Sequence, residues 1–371
     1  MKITKLELFH VKPRWLFLKM HTDEGIAGWG EPIVEGRTRT VLTAVQELEE
    51  YLVGKDPRQI EQHYQAMYRH QFYRGGPVLC SAISGVEQAM WDIYGKSLGL
   101  PVYRLLGGPT REKVRVYAHS RGSTFEEMAA NAKQRVAEGF TALKTGFGGS
   151  VKLVDTPAFI KRCVEQIAVM REAVGDEIDI GVDFHGKFSP ATAIRVIKEL
   201  EPYHPMFVEE PCLPENVDTL VTIARSTTIP IATGERLFTR FGFREAIEKQ
   251  AASIFQPDLS HAGGIFECRK IAAMAETYYA GIAPHCPLGP ISLAAGIQLD
   301  ASIPNFVCQE HVSLGEGYLK QPFVIENGHV DLPTGPGLGI EVDEEALQDK
   351  IFDGSWKNPQ TYHEDGSVAD W

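Results

Sequence analysis

The chain of 371 residues is longer than one typical domain and can bury a large core. Its hydrophobic content of 43% and charged content of 23% are those of an ordinary globular protein in water. The formal net charge of −12 makes binding to nucleic acid or to an anionic membrane surface unfavourable. An anionic small molecule is still acceptable as a ligand, because a bound dication reverses the local field.

The cysteines and the N-terminal residues indicate the cellular compartment. The six cysteines are scattered singly, without a CxxC pair, which favours reduced thiols over a disulfide framework or a zinc site. The first residues, MKITKLELFHV, contain no cleavable apolar segment, and no run approaches the length that spans a membrane. We therefore expect a cytoplasmic protein with no membrane partner.

The first part of the chain, residues 1–113, carries strand-like runs followed by helix-like runs. The strand candidates are KITKLELFHVK, WLFLKMHTDEG and IAGWGEP, with the turn into the last of them at Asp23-Glu24-Gly25. Helical spacing of apolar residues follows over 38–52, 60–72 and 78–98. Strands followed by helices are typical of an α+β domain.

From residue 114 to 320 the pattern changes to alternation of strands and helices. Eight strand candidates occur: VRVYAHS, TALKTG, IDIGVDF, PMFVEEP, IPIATGE, SIFQPDL, GIAPHCP and NFVCQEH. Amphipathic stretches lie between them, which predicts an α/β barrel of the TIM type. Two open α/β sheets are the alternative, but even spacing argues for closure. Residues 321–371 do not repeat the period, and we expect them to pack back on the first domain or on the barrel wall.

Three acidic residues end successive apolar runs at equal intervals. Asp183, Glu209 and Glu235 are each separated by 26 residues. One strand–helix unit takes about 25–30 residues, since a barrel spends roughly 250 residues on eight units. The three carboxylates should therefore converge at the mouth of the barrel, where they would repel one another without a cation. Mg²⁺ suits such hard oxygen ligands.

The same interval continues with Asp258, His285 and Glu310, which follow at steps of 23, 27 and 25 residues. Carboxylates that cap the next helix are the alternative explanation for any single member. The complete series favours a catalytic site. Asp258 beside His285 would hold the tautomer of a base whose unperturbed pKa is about 6.5.

Several neighbouring residues remain open at this point. Glu209 and Glu210 are adjacent, and spacing alone does not separate them. His185 lies two residues after Asp183, so in a strand both side chains would share one face. His185 could then act as an acid or simply pack. Lys144 could contact a substrate, balance the acids or serve structure.

Loops of the first domain carry candidates for closing over a substrate. Arg14 and Trp15 lie in one loop, and Phe72, Tyr73 and Arg74 lie in another. For the aromatic residues, core packing is the alternative that we favour slightly. HEDGSV near the end of the chain carries no chemistry that we can argue.

The motifs TDEGIAGWGE and WDIYGKSLGLPVYRLLGG, with the acidic series, resemble the enolase superfamily and its mandelate racemase group. PRW at 13–15, FYRGGP at 72–77, VDFHG, QPDLSHAGG and APHCPLGP are most similar to the galactonate dehydratase family of that group. The resemblance spans nearly the whole chain. It implies a modified, enolase-like TIM barrel with an α+β capping domain, and a homo-oligomer.

The resemblance also implies a role for each residue of the series. Three acids would bind Mg²⁺ together with the substrate carboxylate: Asp183, Glu209 and Glu235. His285 would remove the proton from C2, with Asp258 orienting it. Glu310 would stabilise the enediolate, and His185 would protonate the departing 3-hydroxyl.

The implied reaction is dehydration of a sugar acid, D-galactonate in the first instance, to a 2-keto-3-deoxy acid. Dehydration of another aldonate or aldarate is the nearest alternative. A racemase or epimerase is less compatible, because Gly146 stands where the group often has a second lysine after Lys144. His285 and, at most, His185 then remain as bases. A silent binding protein is disfavoured by the complete set of metal, base, acid and stabiliser.

Overall fold

The computed structural model describes residues 1–371. Its first part is an antiparallel meander followed by helices, as the sequence predicts. The strands are β1 (Ile3–Val11), β2 (Trp15–Thr22) and β3 (Ala27–Gly30). The helices are α1 (Thr38–Leu52), α2 (Ile60–Arg69), α3 (Pro77–Leu98) and α4 (Val102–Leu105). Since α2 ends at Arg69, Phe72 and Tyr73 lie in the loop before α3.

The GWGE motif of β3 is explained by close packing against α3. A Cβ atom added at Gly30 would lie 1.9 Å from the carbonyl oxygen of Gly85 in α3. Only glycine permits two backbones to approach this closely. The contact joins the sheet to the long buried helix of the capping domain.

The barrel strands run parallel, in sequence order, and each is separated from the next by helix. After β4 (Lys113–Arg115), which pairs elsewhere, the seven strands are β5 (Ala118–His119), β6 (Ala142–Gly146), β7 (Asp179–Asp183), β8 (Phe207–Glu209), β9 (Ile231–Thr233), β10 (Ile254–Phe255) and β11 (Gly281–Ile282). The helices between and after them are α5 (Phe125–Ala137), α6 (Pro157–Val174), α7 (Pro190–Leu200), α8 (Val217–Ala224), α9 (Thr239–Glu248), α10 (Ile265–Glu276) and α11 (Pro290–Asp300). A short 3₁₀ helix, Glu201–Tyr203, follows α7.

The eighth predicted strand, NFVCQEH, is not a regular strand but still closes the ring. Its backbone pairs with one neighbour at Ile282–Phe306 and with the other at Val116–Gln309, both in parallel. Val307 N donates to Ile282 O at 2.8 Å, and Gln309 N donates to Arg115 O at 2.9 Å. The segment thus switches from one neighbour to the other within a few residues, too short a ladder for a regular strand.

The first predicted barrel strand, VRVYAHS, is likewise divided between two sheets. β4 pairs antiparallel with β13 (His329–Asp331), which pairs with β12 (Ile325–Glu326), whereas β5 pairs parallel with β6. The backbone therefore changes partners near Val116.

The C-terminal segment contacts both the barrel and the capping domain, as expected. Beyond β13 it contains α12 (Glu344–Gln348) and the hairpin β14 (Thr361–Tyr362) and β15 (Val368–Ala369). Lys12 N donates to Lys350 O at 2.7 Å, and Phe352 N donates to His10 O at 2.9 Å. These bonds hold the segment beside β1.

Two buried glutamates of the capping domain bond to the amino ends of barrel helices. Glu31 accepts from Gly289 N at 2.7 Å and Ser292 N at 2.9 Å, at the start of α11. Glu87 accepts from the first backbone amides of α10. These amides have no partner within their helices, so the carboxylates satisfy them and fix the cap over the barrel mouth.

The hydrophobic core is largely shared by the two regions. One cluster of 85 buried residues includes side chains of both the capping domain and the barrel. A separate inner cluster fills the barrel itself: Tyr117, Ala142, Phe207, Ala232, Ile254, Ala283 and Cys308. None of the helices combines the length and apolar character needed to cross a membrane.

Candidate active site

Each of the eight barrel segments carries one polar side chain at or just beyond its carboxyl end. In chain order these are His119, Lys144, Asp183, Glu209, Glu235, Asp258, His285 and Glu310. This is the end of a TIM barrel at which catalytic groups lie. Sequence reasoning missed His119, although it precedes Lys144 by 25 residues and so follows the same interval.

Lys144 is the cationic centre of this ring. Its Nζ lies 2.5 Å from Glu209 Oε1, 3.1 Å from Glu310 Oε1 and 3.5 Å from Asp183 Oδ2. Burial opposes its charge, but the surrounding carboxylates raise the pKa of Lys144 well above its ordinary value. Of the three roles left open by the sequence, the geometry favours the balancing of the acids.

His285 and Asp258 form a hydrogen-bonded pair. His285 Nδ1 lies 2.8 Å from Asp258 Oδ2, while Asp258 Oδ1 accepts from Ser260 N at 2.7 Å. The opposite nitrogen, Nε2, lies 3.3 Å from Glu235 Oε2 and 3.9 Å from Glu310 Oε2. Burial disfavours the imidazolium, but Glu235, Glu310 and Asp258 outweigh it and raise the pKa of His285 to about 10.

Glu310 is held as a carboxylate by several donors. Its Oε1 lies 3.1 Å from both Lys144 Nζ and His119 Nε2, and its Oε2 accepts from Cys286 N at 2.9 Å. Burial favours the neutral acid, yet Lys144, His285 and His119 hold the pKa of Glu310 well below its usual value. The newly recognised His119 therefore acts on Glu310.

The placement of His185 corrects one step of the sequence argument. β7 ends at Asp183, and His185 lies beyond it with φ of 56°, in the left-handed region, so strand alternation does not apply. Its backbone N donates to Asp183 Oδ1 at 2.7 Å, and its carbonyl accepts from Arg236 Nη2 at 2.7 Å. Arg236 is a second site residue that the sequence analysis missed.

The structure distinguishes the adjacent acids Glu209 and Glu210. Glu209 Oε1 bonds to Lys144, whereas its Oε2 is buried without a hydrogen-bond partner. Glu210 leaves the strand with φ of 41° and accepts from Thr233 Oγ1 at 2.5 Å and Gly234 N at 3.2 Å. Glu210 therefore supports the loop after β9, and Glu209 faces the barrel mouth.

The donor set is compatible with a metal ion, although its atoms are turned to protein cations. No three His, Cys, Asp or Glu side chains surround one common point. Asp183 and Glu209 contact Lys144, while Glu235 contacts Arg236 and His285. The unpartnered buried oxygen of Glu209 nevertheless requires a positive partner. Three carboxylates from successive strands supply the hard oxygen ligands that Mg²⁺ takes.

The capping-domain candidates divide into two groups. Trp15 is 5% exposed and belongs to the core, as the preferred alternative held, whereas Phe72 and Tyr73 are 87% and 86% exposed. Arg14 donates to the carbonyl of Pro287 at 3.0 Å and so reaches the loop after His285. A cavity of about 180 Å³ at this junction is lined by side chains of both regions, among them Glu35, Glu235, His261 and His285.

A closed barrel with acidic strand ends beneath an α+β cap defines an enolase-type barrel protein. Residues 10–107 match the family described as mandelate racemase / muconate lactonizing enzyme, N-terminal domain, and residues 127–346 match the enolase C-terminal domain-like family. The chain belongs to the enolase superfamily, in its mandelate racemase group. Members of this superfamily are generally metal-dependent.

Individual relatives cover the full chain. A protein of Ralstonia pickettii named D-galactonate dehydratase is 48% identical over 382 residues, covering 100% of both chains. One of Cronobacter sakazakii with the same name is also 48% identical with the same coverage. The crystal structure of a mandelate racemase/muconate lactonizing enzyme from Sulfitobacter sp. has a TM-score of 0.91 and 35% identity, covering 98% of this chain and 100% of its own.

Proposed function

We propose that this protein is a hydro-lyase that removes water from a sugar acid, D-galactonate by preference, to give the 2-keto-3-deoxy acid. The observation that carries the proposal is the His285–Asp258 pair, whose outer nitrogen faces Glu235 and Glu310 in the barrel mouth. The full-length relatives named D-galactonate dehydratase support the substrate. Family likeness also supports a symmetric homo-oligomer in the cytoplasm.

We infer that Asp183, Glu209 and Glu235 hold Mg²⁺. The unpartnered oxygen of Glu209 and the hard donor set support this assignment. Bound there, the dication supplies Lewis-acid stabilisation of the charge that develops on the substrate carboxylate. Positive charge beside Glu235 also offsets the pull of that carboxylate on the proton of His285, which favours the neutral base.

In the proposed reaction His285 accepts the C2 proton through Nε2. Its Nδ1–H donates to Asp258, so the tautomer and the ring orientation are set before the substrate arrives. The buried Asp258 also stabilises the imidazolium that forms. Lys144 and Glu310, which are 3.1 Å apart, lie where they can bind the oxygen atoms of the enediolate.

The second proton transfer is assigned to His185. Loss of the 3-hydroxyl requires a proton, because hydroxide is a poor leaving group. His185 lies beside Asp183 at the rim of the barrel, half-buried and on a different strand end from His285. One histidine would therefore remove the C2 proton and another would complete the departure of water.

The test is turnover of a panel of aldonic and aldaric acids with Mg²⁺, followed by assay of the 2-keto product. We expect the highest kcat/KM for D-galactonate and loss of activity on chelation or in Glu235→Gln. A higher kcat/KM for gluconate or an aldarate would reject the substrate. Deuterium exchange at C2 without loss of water would indicate a racemase or epimerase, and no reaction with any acid would contradict the proposal.

A further inference from the structure

The HEDGSV motif, to which the sequence analysis assigns no chemistry, forms the turn of the C-terminal hairpin. His363 N donates to Ser367 O at 2.8 Å, and Gly366 N donates to His363 O at 3.0 Å, so β14 and β15 fold back on each other. Gly366 has φ of 83°, the left-handed conformation that a tight turn of this kind needs. The turn directs the last residues of the segment towards the barrel mouth.

Trp371 then contacts the ring of His185. Its carbonyl oxygen lies 2.5 Å from His185 Nδ1, and the two rings meet edge-on, with centroids 5.7 Å apart and planes 65° apart. The contact joins positions 186 residues apart in the sequence. It is the hydrogen bond that the His185 side chain makes in the structure.

A second contact ties the hairpin to the rim of the barrel. Lys152, in the loop after β6, lies 3.4 Å from Glu364 in the hairpin turn. Both side chains are largely exposed, so the pair contributes little stability. Lys187 donates to the carbonyls of Phe147 and Gly149 in the same loop, which links that loop to the strand end carrying His185.

The carbonyl contact determines how His185 is presented. A carbonyl oxygen only accepts, so Nδ1 must carry the hydrogen, whether the imidazole is neutral or charged. Nε2 is then the nitrogen left for substrate, and rotation of the ring would break the bond. The backbone of His185 is already held by Asp183 and Arg236, so the carbonyl of Trp371 restrains the part of the residue that remains free.

We propose that Trp371 is a positioning residue for His185 and that the C-terminal hairpin, 361–371, thereby completes the active site. The carbonyl sets the ring orientation, and the indole forms the outer wall against which the ring packs. This inference rests on the proposed role of His185 as the acid. It assigns to Trp371 no contact with the reacting atoms.

The test compares a chain ending at Asp370 with Trp371→Ala, which keeps the carbonyl. Both are assayed with D-galactonate and Mg²⁺ for C2 deuterium exchange and for dehydration. In the shortened chain we expect dehydration to fall about 10- to 100-fold, as misplacement of a catalytic group does, with exchange nearly unchanged. Trp371→Ala should lose less, and Val368→Thr, an exposed change in the same hairpin, should match the parent.

Equal loss of exchange and dehydration in the shortened chain, or no loss of either, would overturn the positioning role. His185→Asn separates this from failure of the proposed function. If that variant loses dehydration but not exchange while the shortened chain is unaffected, only the role of Trp371 is wrong. Equal loss of both activities in His185→Asn removes the acid role on which the inference depends.

A readout without turnover uses ¹⁵N-histidine NMR of the full chain, with His185→Asn identifying the signals. The parent should show His185 as the Nδ1–H tautomer, and the shortened chain should show loss of that single form. An Nε2–H tautomer in the parent would overturn the proposal irrespective of activity.

Discussion

The two histidines of the barrel mouth lie in different electrostatic surroundings. His285 is enclosed by Asp258, Glu235 and Glu310, whose charges favour its imidazolium. His185 stands on the rim, and its ring bonds to a neutral carbonyl. This difference is suited to a base that must stabilise the proton it accepts and an acid that must give one away.

Asp258→Asn tests the first of these environments. Asparagine removes one of the charges that raise the pKa of His285, so that pKa should fall. Because a base must be neutral, the acidic limb of the kcat/KM–pH profile should move to lower pH, with a loss of about 10²-fold in the plateau rate. The measurement is steady-state kinetics across pH, and an unchanged profile would show that the pair does not set the basicity of His285.

His311, which follows Glu310, should make the fold sensitive to mild acid. Burial and the nearby His119 lower the pKa of His311 to about 4. A histidine with a depressed folded-state pKa contributes stability that is complete above the unfolded value of about 6.5 and is lost as the pH falls towards 4. The free energy of unfolding should therefore drop by about 2 kcal/mol from this group between pH 7 and 5.

His311→Phe should remove that part of the pH dependence, because phenylalanine can stack on Phe140 in the same way, at ring centroids now 6.1 Å apart. Urea unfolding of both proteins at pH 7 and pH 5 measures the difference. The exposed His70, changed to phenylalanine, is the matched control. Identical pH slopes for the parent and His311→Phe would contradict the prediction.

At the scale of the elements, buried carboxylates join the cap to the helices of the barrel. Glu87 Oε2 accepts from Ile265 N at 2.7 Å, and its Oε1 accepts from Phe266 N at 2.8 Å and Trp91 Nε1 at 2.7 Å. Burial raises the pKa of Glu87 to about 8 in spite of these donors. One side chain therefore satisfies the amino end of α10 and a core tryptophan together.

Glu87→Ala should destabilise the protein by about 3 kcal/mol, because it leaves three buried N–H groups without an acceptor. Chemical unfolding monitored by tryptophan fluorescence is the measurement. Glu276→Ala, at the exposed carboxyl end of the same helix, should change stability by less than about 0.5 kcal/mol. Comparable losses in the two variants would show that Glu87 does not anchor the cap.

At the scale of the whole molecule, the cap, barrel and C-terminal segment are closely joined. β4 lies across the proposed boundary at 113/114 and pairs with a strand of the C-terminal segment. The main hydrophobic cluster contains residues from all three ranges. The boundaries 1–113, 114–320 and 321–371 remain a prediction about sequence organisation. Closure over the mouth is a property of the entire chain.

The sequence by itself determined the architecture and the residues at the strand ends. A strand, a helix and their loops consume a nearly constant length of chain, so the 26-residue interval of Asp183, Glu209 and Glu235 is a local signal of a barrel. The pairing of His285 with Asp258 follows from adjacent strand ends for the same reason. His119 lay within reach of that reasoning, since its 25-residue distance from Lys144 follows the interval.

Only the tertiary structure decided how these groups are presented. Strand alternation fails at His185 and Glu210 because both residues leave their strands in the left-handed conformation, which side-chain type does not specify. The centring of Lys144 among three acids depends on side chains from four strands. The bond from His185 to Trp371 joins distant parts of the chain through a backbone carbonyl, a group that every residue carries and that no sequence motif can mark.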